Sequence, residues 1–91
     1  MRSVEVTGGE IVLCHTREGV FALANICTHA YARLSEGYLR GTRLVCPLHG
    51  GSFDVESGCA LGSPAMHRLA TYPARIVNGT IEVAVEITRA P

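Results

Sequence analysis

The stretch Ala74-Arg75-Ile76-Val77-Asn78-Gly79-Thr80-Ile81-Glu82-Val83 decides the fold class. Asn-Gly between two β-branched runs is a strong hairpin signal, because both central positions of a two-residue type I′ turn need positive φ. That turn dictates a register in which Val77 faces Thr80, Ile76 faces Ile81, Arg75 faces Glu82 and Ala74 faces Val83. Apolar residues then meet apolar ones and opposite charges meet each other. Ile81, Val83, Val85 and Ile87 share one face, with Thr80, Glu82, Ala84 and Glu86 on the other.

Working back from the hairpin, the same extended signature recurs. Val4 and Val6 alternate with polar neighbours, Gly8-Gly9 turns the chain, and Ile11 to His15 resumes an extended run. Arg17-Glu18-Gly19 turns it again, and Val20 to Ile26 leads onward. A helical turn is expected over Ala30 to Leu34, with Glu36-Gly37 and Arg40-Gly41 as punctuation. Thr42 to Val45 and Ser52 to Val55 read as strands, Ser57-Gly58 as a turn, and Gly62-Ser63-Pro64 as a loop. No segment sustains helical periodicity over ten or more residues. The expected fold is all-β: an antiparallel β-sandwich or small barrel, built as one domain over residues 1–91. A chain of this size buries roughly 60–65% of the surface that it exposes unfolded.

Composition narrows the function classes. Eight arginines balance eight acids, so nothing suggests nucleic acid or an anionic membrane as partner. No apolar signal core follows Met1-Arg2, and the longest apolar run, Val20 to Ala24, is far too short to span a bilayer. The expected location is the cytoplasm. A reducing compartment also suits four cysteines of which two have a use other than a disulfide.

Those two lie in Cys27-Thr28-His29 and Cys46-Pro47-Leu48-His49, separated by the 16 residues from Ala30 to Val45 and followed by Gly50-Gly51. Each loop offers one thiolate and one imidazole. A zinc finger usually pairs cysteines in one knuckle and histidines in the other, with wider histidine spacing. Mixed loops suit a two-iron cluster in which one iron takes both sulfurs and the other both imidazoles. Two ferric ions, two sulfides and two thiolates sum to a neutral oxidised site, whereas four thiolates leave it dianionic. An electron enters the neutral site more easily, so histidine ligation raises the potential to roughly −150 to +300 mV. A structural zinc module used for protein contacts is the competing reading of the same four residues.

With these motifs the chain resembles the Rieske-type [2Fe-2S] ferredoxins, and most of all the ferredoxin components of bacterial aromatic ring-hydroxylating dioxygenase systems. The likeness runs through Cys46 to Asp54, Ser57-Gly58, Gly62-Ser63-Pro64-Ala65 and Thr71-Tyr72-Pro73-Ala74, and covers about residues 4–87. It implies a smaller cluster-binding subdomain made of loops at about 25–35 and 44–53, under a proline loop at about 61–66. It implies one [2Fe-2S] cluster, with Cys27 and Cys46 on the inner iron and His29 and His49 on the outer. It also implies one more strand ahead of the position of Met1. The function implied is a monomeric one-electron carrier, not an enzyme and without a small-molecule substrate. Electrons would pass from an NAD(P)H-dependent ferredoxin reductase to a terminal Rieske non-haem iron oxygenase, through transient contacts. A Rieske subunit held in a larger enzyme, such as a nitrite reductase small subunit, is the alternative of the same family.

Differences from the high-potential Rieske proteins sharpen the expectation. Their additional cysteine pair is replaced by Ala32 and Leu48, so the loops lack that disulfide. Their serine and tyrosine hydroxyls, which bond to cluster sulfur, are replaced by Gly51 and Phe53. Fewer such bonds leave negative charge on sulfur less stabilised, which places the potential low in the Rieske range. The expected docking rim is Leu48, Pro64, Ala65 and Met66 around the two histidines. His15 and His67 read as ordinary histidines, Cys14 and Cys59 as inert small hydrophobes, and Asp54 and Glu56 as solvated turn carboxylates. Arg33, Arg40, Arg43 and Arg68 read as a scattered solvated set, some of which help steer a redox partner.

Overall fold

The structure is a computed structural model describing residues 1–6, 9–27, 32–48, 50–62 and 67–84. Among the described residues, ten antiparallel strands and one 3₁₀ turn make up the regular structure. The first sheet holds β1 (Arg2–Val6), β2 (Gly9–Thr16), β3 (Gly19–Ala24) and β8 (Thr71–Tyr72), in the order β1-β2-β3-β8. The second holds β4 (Tyr38–Arg40), β5 (Arg43–Val45), β6 (Ser52–Asp54) and β7 (Ala60–Gly62), in chain order. β9 (Ala74–Val77) and β10 (Thr80–Val83) form a separate hairpin. The all-β expectation therefore holds.

The hairpin has the register expected from Asn78-Gly79, from Val77 opposite Thr80 to Ala74 opposite Val83. Asn78 and Gly79 adopt φ of 50° and 78°, and Arg75 reaches Glu82 at 2.8 Å. Val85 and Ile87, expected on the same face, lie outside the described residues, as does the connection at 7–8 between β1 and β2.

The core joins the two larger sheets. Val12 and Cys14 of β2 and Leu23 of β3 meet Leu34, Leu44, Phe53, Val55 and Leu69. Alternation explains the choice: Val12 and Cys14 are two apart on one strand and share a face. Leu44 and Phe53 are direct partners across β5 and β6, so both point inward together.

Three local features go beyond the sequence reading. Of the turn expected over Ala30 to Leu34, positions 30 and 31 lie outside the described residues, Arg33 is extended and pairs with Ile26, and a 3₁₀ turn follows at Leu34–Glu36. β4 and β7 had no sequence signal, since at three residues each they are too short for alternation to register. Cys59 is exposed, whereas Cys14 is fully buried.

Candidate metal centre

The two cysteine loops grow from equivalent hairpin ends. In the first, Ile26 bridges Arg33 and the Cys27 N–H donates to the Ala32 carbonyl at 2.8 Å. In the second, Val45 pairs with Ser52 and the Cys46 N–H donates to the Gly51 carbonyl at 2.7 Å. Each cysteine is thus the first residue of a loop closed by a bond to the fifth residue after it. Both loops leave the same end of the core, and both cysteines are 2% exposed.

That geometry brings the two sulfurs together, although 18 residues separate them in the chain. The Cys27 and Cys46 thiols lie close enough to interact, and no cysteine forms a disulfide. Burial pushes the Cys46 thiol up from its ordinary value. The Leu48 backbone N–H, donating to its sulfur, acts the other way, and Cys27 adds to the rise. Ligation by a metal deprotonates such a thiol outright. His29, His49 and residues 63–66 lie outside the described residues. Among the described residues no three of His, Cys, Asp and Glu come together.

The first loop rests on polar side chains. Asn25, fully buried, accepts from the Ser35 N–H at 2.8 Å and donates through Nδ2 to Ser35 Oγ and Glu10 Oε2, both at 3.1 Å. Its backbone N–H donates to the Glu10 carbonyl, and its carbonyl accepts from the Leu34 N–H. Arg33 donates to Glu10 Oε2 through Nε at 3.2 Å and Nη2 at 2.6 Å, which holds the Glu10 carboxyl below its ordinary value. Arg33 is therefore a loop brace and not part of a scattered solvated set. Sequence reasoning missed Glu10, Asn25 and Ser35; an asparagine two residues before the ligand loop was the one available clue.

The hairpin that carries the second loop is held by backbone and glycine. A Cβ on Gly37 would overlap the Val45 carbonyl beside Cys46, so only glycine allows β4 to approach there. Gly58 sits at φ 79°, and a Cβ on it would overlap the Leu69 carbonyl. Asp54 is not a solvated turn carboxylate: its Oδ2 accepts from the Ser57 N–H at 2.9 Å and Oγ at 2.8 Å. Val55 N–H, next along, donates to the Thr42 carbonyl.

The other singled-out residues lie elsewhere. His15 is at the opposite end of β2 from Glu10, on an open groove of about 660 Å³ beside Leu13, Val20 and Ile81. His67 is exposed. Arg68 donates to the Ser57 carbonyl at 2.9 Å, and Arg40 lies 5.9 Å over the Tyr38 ring. Leu48 is exposed as expected, and Ile26 and Leu61 add apolar exposure that the sequence did not signal. Two buried thiols in mutual contact fit the two sulfur ligands of one iron.

The family model for the Rieske [2Fe-2S] domain matches residues 1–73. The chain belongs to the Rieske [2Fe-2S] family. It is 42% identical over 83 residues to the ferredoxin component of the naphthalene 1,2-dioxygenase/salicylate 5-hydroxylase systems of Ralstonia sp., covering 91% of this chain and 80% of that protein. Its fold superposes on the Sphingomonas yanoikuyae B1 ferredoxin with a TM-score of 0.85 at 34% identity, covering 91% of this chain and 81% of the other. A chain from the complex of reduced oxygenase and oxidized ferredoxin in carbazole 1,9a-dioxygenase gives 0.87 at 33% identity, covering 91% and 86%. The Rieske domain implies a [2Fe-2S] cluster as cofactor. This chain is accordingly an electron-transfer ferredoxin and not a catalytic subunit.

Proposed function

We propose that this ferredoxin carries single electrons from an NAD(P)H-dependent reductase to the terminal oxygenase of an aromatic ring-hydroxylating system in the cytoplasm, as one domain over residues 1–91. Cys27 and Cys46 hold the inner iron of its cluster, and His29 and His49 the outer. The observation that carries the assignment is the pair of buried, neighbouring thiols at two equivalent hairpin ends. The bound cluster supplies one reversible electron step. The residues around it do the rest. Core packing by Leu34, Leu44 and Phe53 keeps water from the sulfur side. Leu48, 46% exposed within the second ligand loop, provides apolar contact for a partner that must leave quickly. Phe53, fully buried, brings no hydroxyl to the sulfurs, which supports a potential low in the range of roughly −150 to +300 mV.

Reconstitution tests this directly. With the reductase and oxygenase of a naphthalene dioxygenase system, substrate turnover should depend on added ferredoxin. Leu48→Asp should slow transfer while the cluster absorbance stays intact. Turnover that ignores the ferredoxin would contradict the role, and unchanged turnover in Leu48→Asp would contradict the docking placement.

A further inference from the structure

The brace under the first ligand loop is also a concentration of charge. Glu5 and Glu10 face each other directly across β1 and β2. Like charges in that position destabilise a sheet. Arg33 offsets the repulsion: it binds Glu10 at 2.6 Å, stands 3.8 Å from Glu36, and is held protonated by Glu10 first and by Glu36 and Glu5 further off. One guanidinium thus faces three carboxylates. The cluster of charges is fastened to the loop, because Glu10 bonds to both the main chain and the amide of Asn25, two residues before Cys27. Arg33 itself is the strand partner of Ile26, the residue preceding Cys27.

We propose that Glu10 and Arg33 are positioning residues with a second role: their opposite charges set the ease of reduction at the Cys27 side of the cluster. The proposal rests on Cys27 being a ligand. Reduction adds one negative charge at the site. The Glu10 carboxylate opposes that charge and the Arg33 guanidinium favours it, so the two members of one ion pair act in opposite directions. A unit charge about 10 Å away, in surroundings between protein surface and water, changes an equilibrium roughly two- to tenfold. Both side chains are partly exposed, so salt weakens the effect.

Redox titration of the holoprotein, paired with thermal unfolding, separates this from a purely mechanical brace. Glu10→Gln should make reduction more favourable by roughly two- to tenfold, and Arg33→Gln less favourable by a similar factor. The double variant should return close to wild type, and the single shifts should shrink in high salt. All three lose the same brace, and Arg33→Gln also leaves the Glu5–Glu10 repulsion uncovered, so its unfolding temperature should fall furthest. Arg33→Lys keeps the charge and loses the two-pronged bond, so it should unfold earlier with a near-native potential. Asn25→Ala loosens the loop without changing charge and should not reproduce either single shift. Shifts of the same sign in Glu10→Gln and Arg33→Gln, or an unmoved potential in Glu10→Gln, would overturn the proposal. Where Arg33→Gln does not fold, Glu10→Gln and Arg33→Lys decide alone. A wild-type protein lacking iron and sulfide would overturn the ligand assignment as well. A normal cluster with same-sign shifts would overturn the charge role only.

Discussion

The two cysteine loops close alike and are held differently. Each starts at a buried cysteine whose N–H bonds five residues ahead. Beneath Cys27 lie a buried amide, a hydroxyl and an ion pair, all side-chain devices. Beside Cys46 lies Gly37, which permits close backbone approach to the Val45 carbonyl, while Gly58 and a main-chain bond from Val55 to Thr42 fasten the far end of the same β5–β6 hairpin. A fastening made of charges responds to pH and salt. One made of backbone and steric fit responds only to substitution. The same loop closure is thus reached by two kinds of force, with separate weaknesses.

The largest effect should come from adding a single methyl at the far end of the hairpin that carries the second loop. Gly58→Ala combines left-handed strain with overlap at the Leu69 carbonyl, and should cost about 3 kcal/mol in chemical unfolding. Gly37→Ala, with overlap at the Val45 carbonyl alone, should cost about 1–3 kcal/mol and displace Cys46 more than Cys27. Native-like stability in both would break the claim that steric fit holds this side.

Next in size is Asn25→Ala. It leaves the Ser35 N–H without its acceptor in a buried site and should cost about 1–3 kcal/mol. Amide hydrogen exchange should quicken at Cys27 before Cys46, since the brace lies under one loop only.

Smallest is the response to solution conditions, which sharpens the contrast. Glu10 titrates below its ordinary value of 4.5 when folded, so its pairing is fully present above that value and is lost as pH falls through the lowered one. Mild acid and high salt should therefore speed exchange of the Cys27 amide ahead of the Cys46 amide, and Glu10→Gln should flatten that dependence. Equal acid sensitivity of the two amides would contradict the division.

The backbone architecture was largely legible in the sequence, and the side-chain support was not. Asn78-Gly79 specified a turn and, through it, every pair in β9 and β10, because turn geometry and alternation are local rules. Cys27 and Cys46 could be singled out by spacing and residue type, and the fold brings their sulfurs together. Glu10 is 15 positions from Asn25 and 23 from Arg33, and no local rule links them. Gly37 read as punctuation, whereas its requirement comes from Val45, a contact fixed only by how β4 lies on β5. Arg33 was misjudged for the same reason: a charge on a loop reads as solvated until its strand partner is known. Cys59 shows the converse, since an apolar residue type does not place itself inside.

The most direct test of the central claim is the visible spectrum of the purified protein, as isolated and after dithionite, with iron and sulfide assayed on the same sample. The account predicts a red-brown protein that partly bleaches on reduction and holds two irons and two sulfides per chain. Replacing Cys27 or Cys46 with alanine should abolish that spectrum. A colourless, redox-silent protein with one tightly bound zinc would contradict the account and make this pair of loops a structural module.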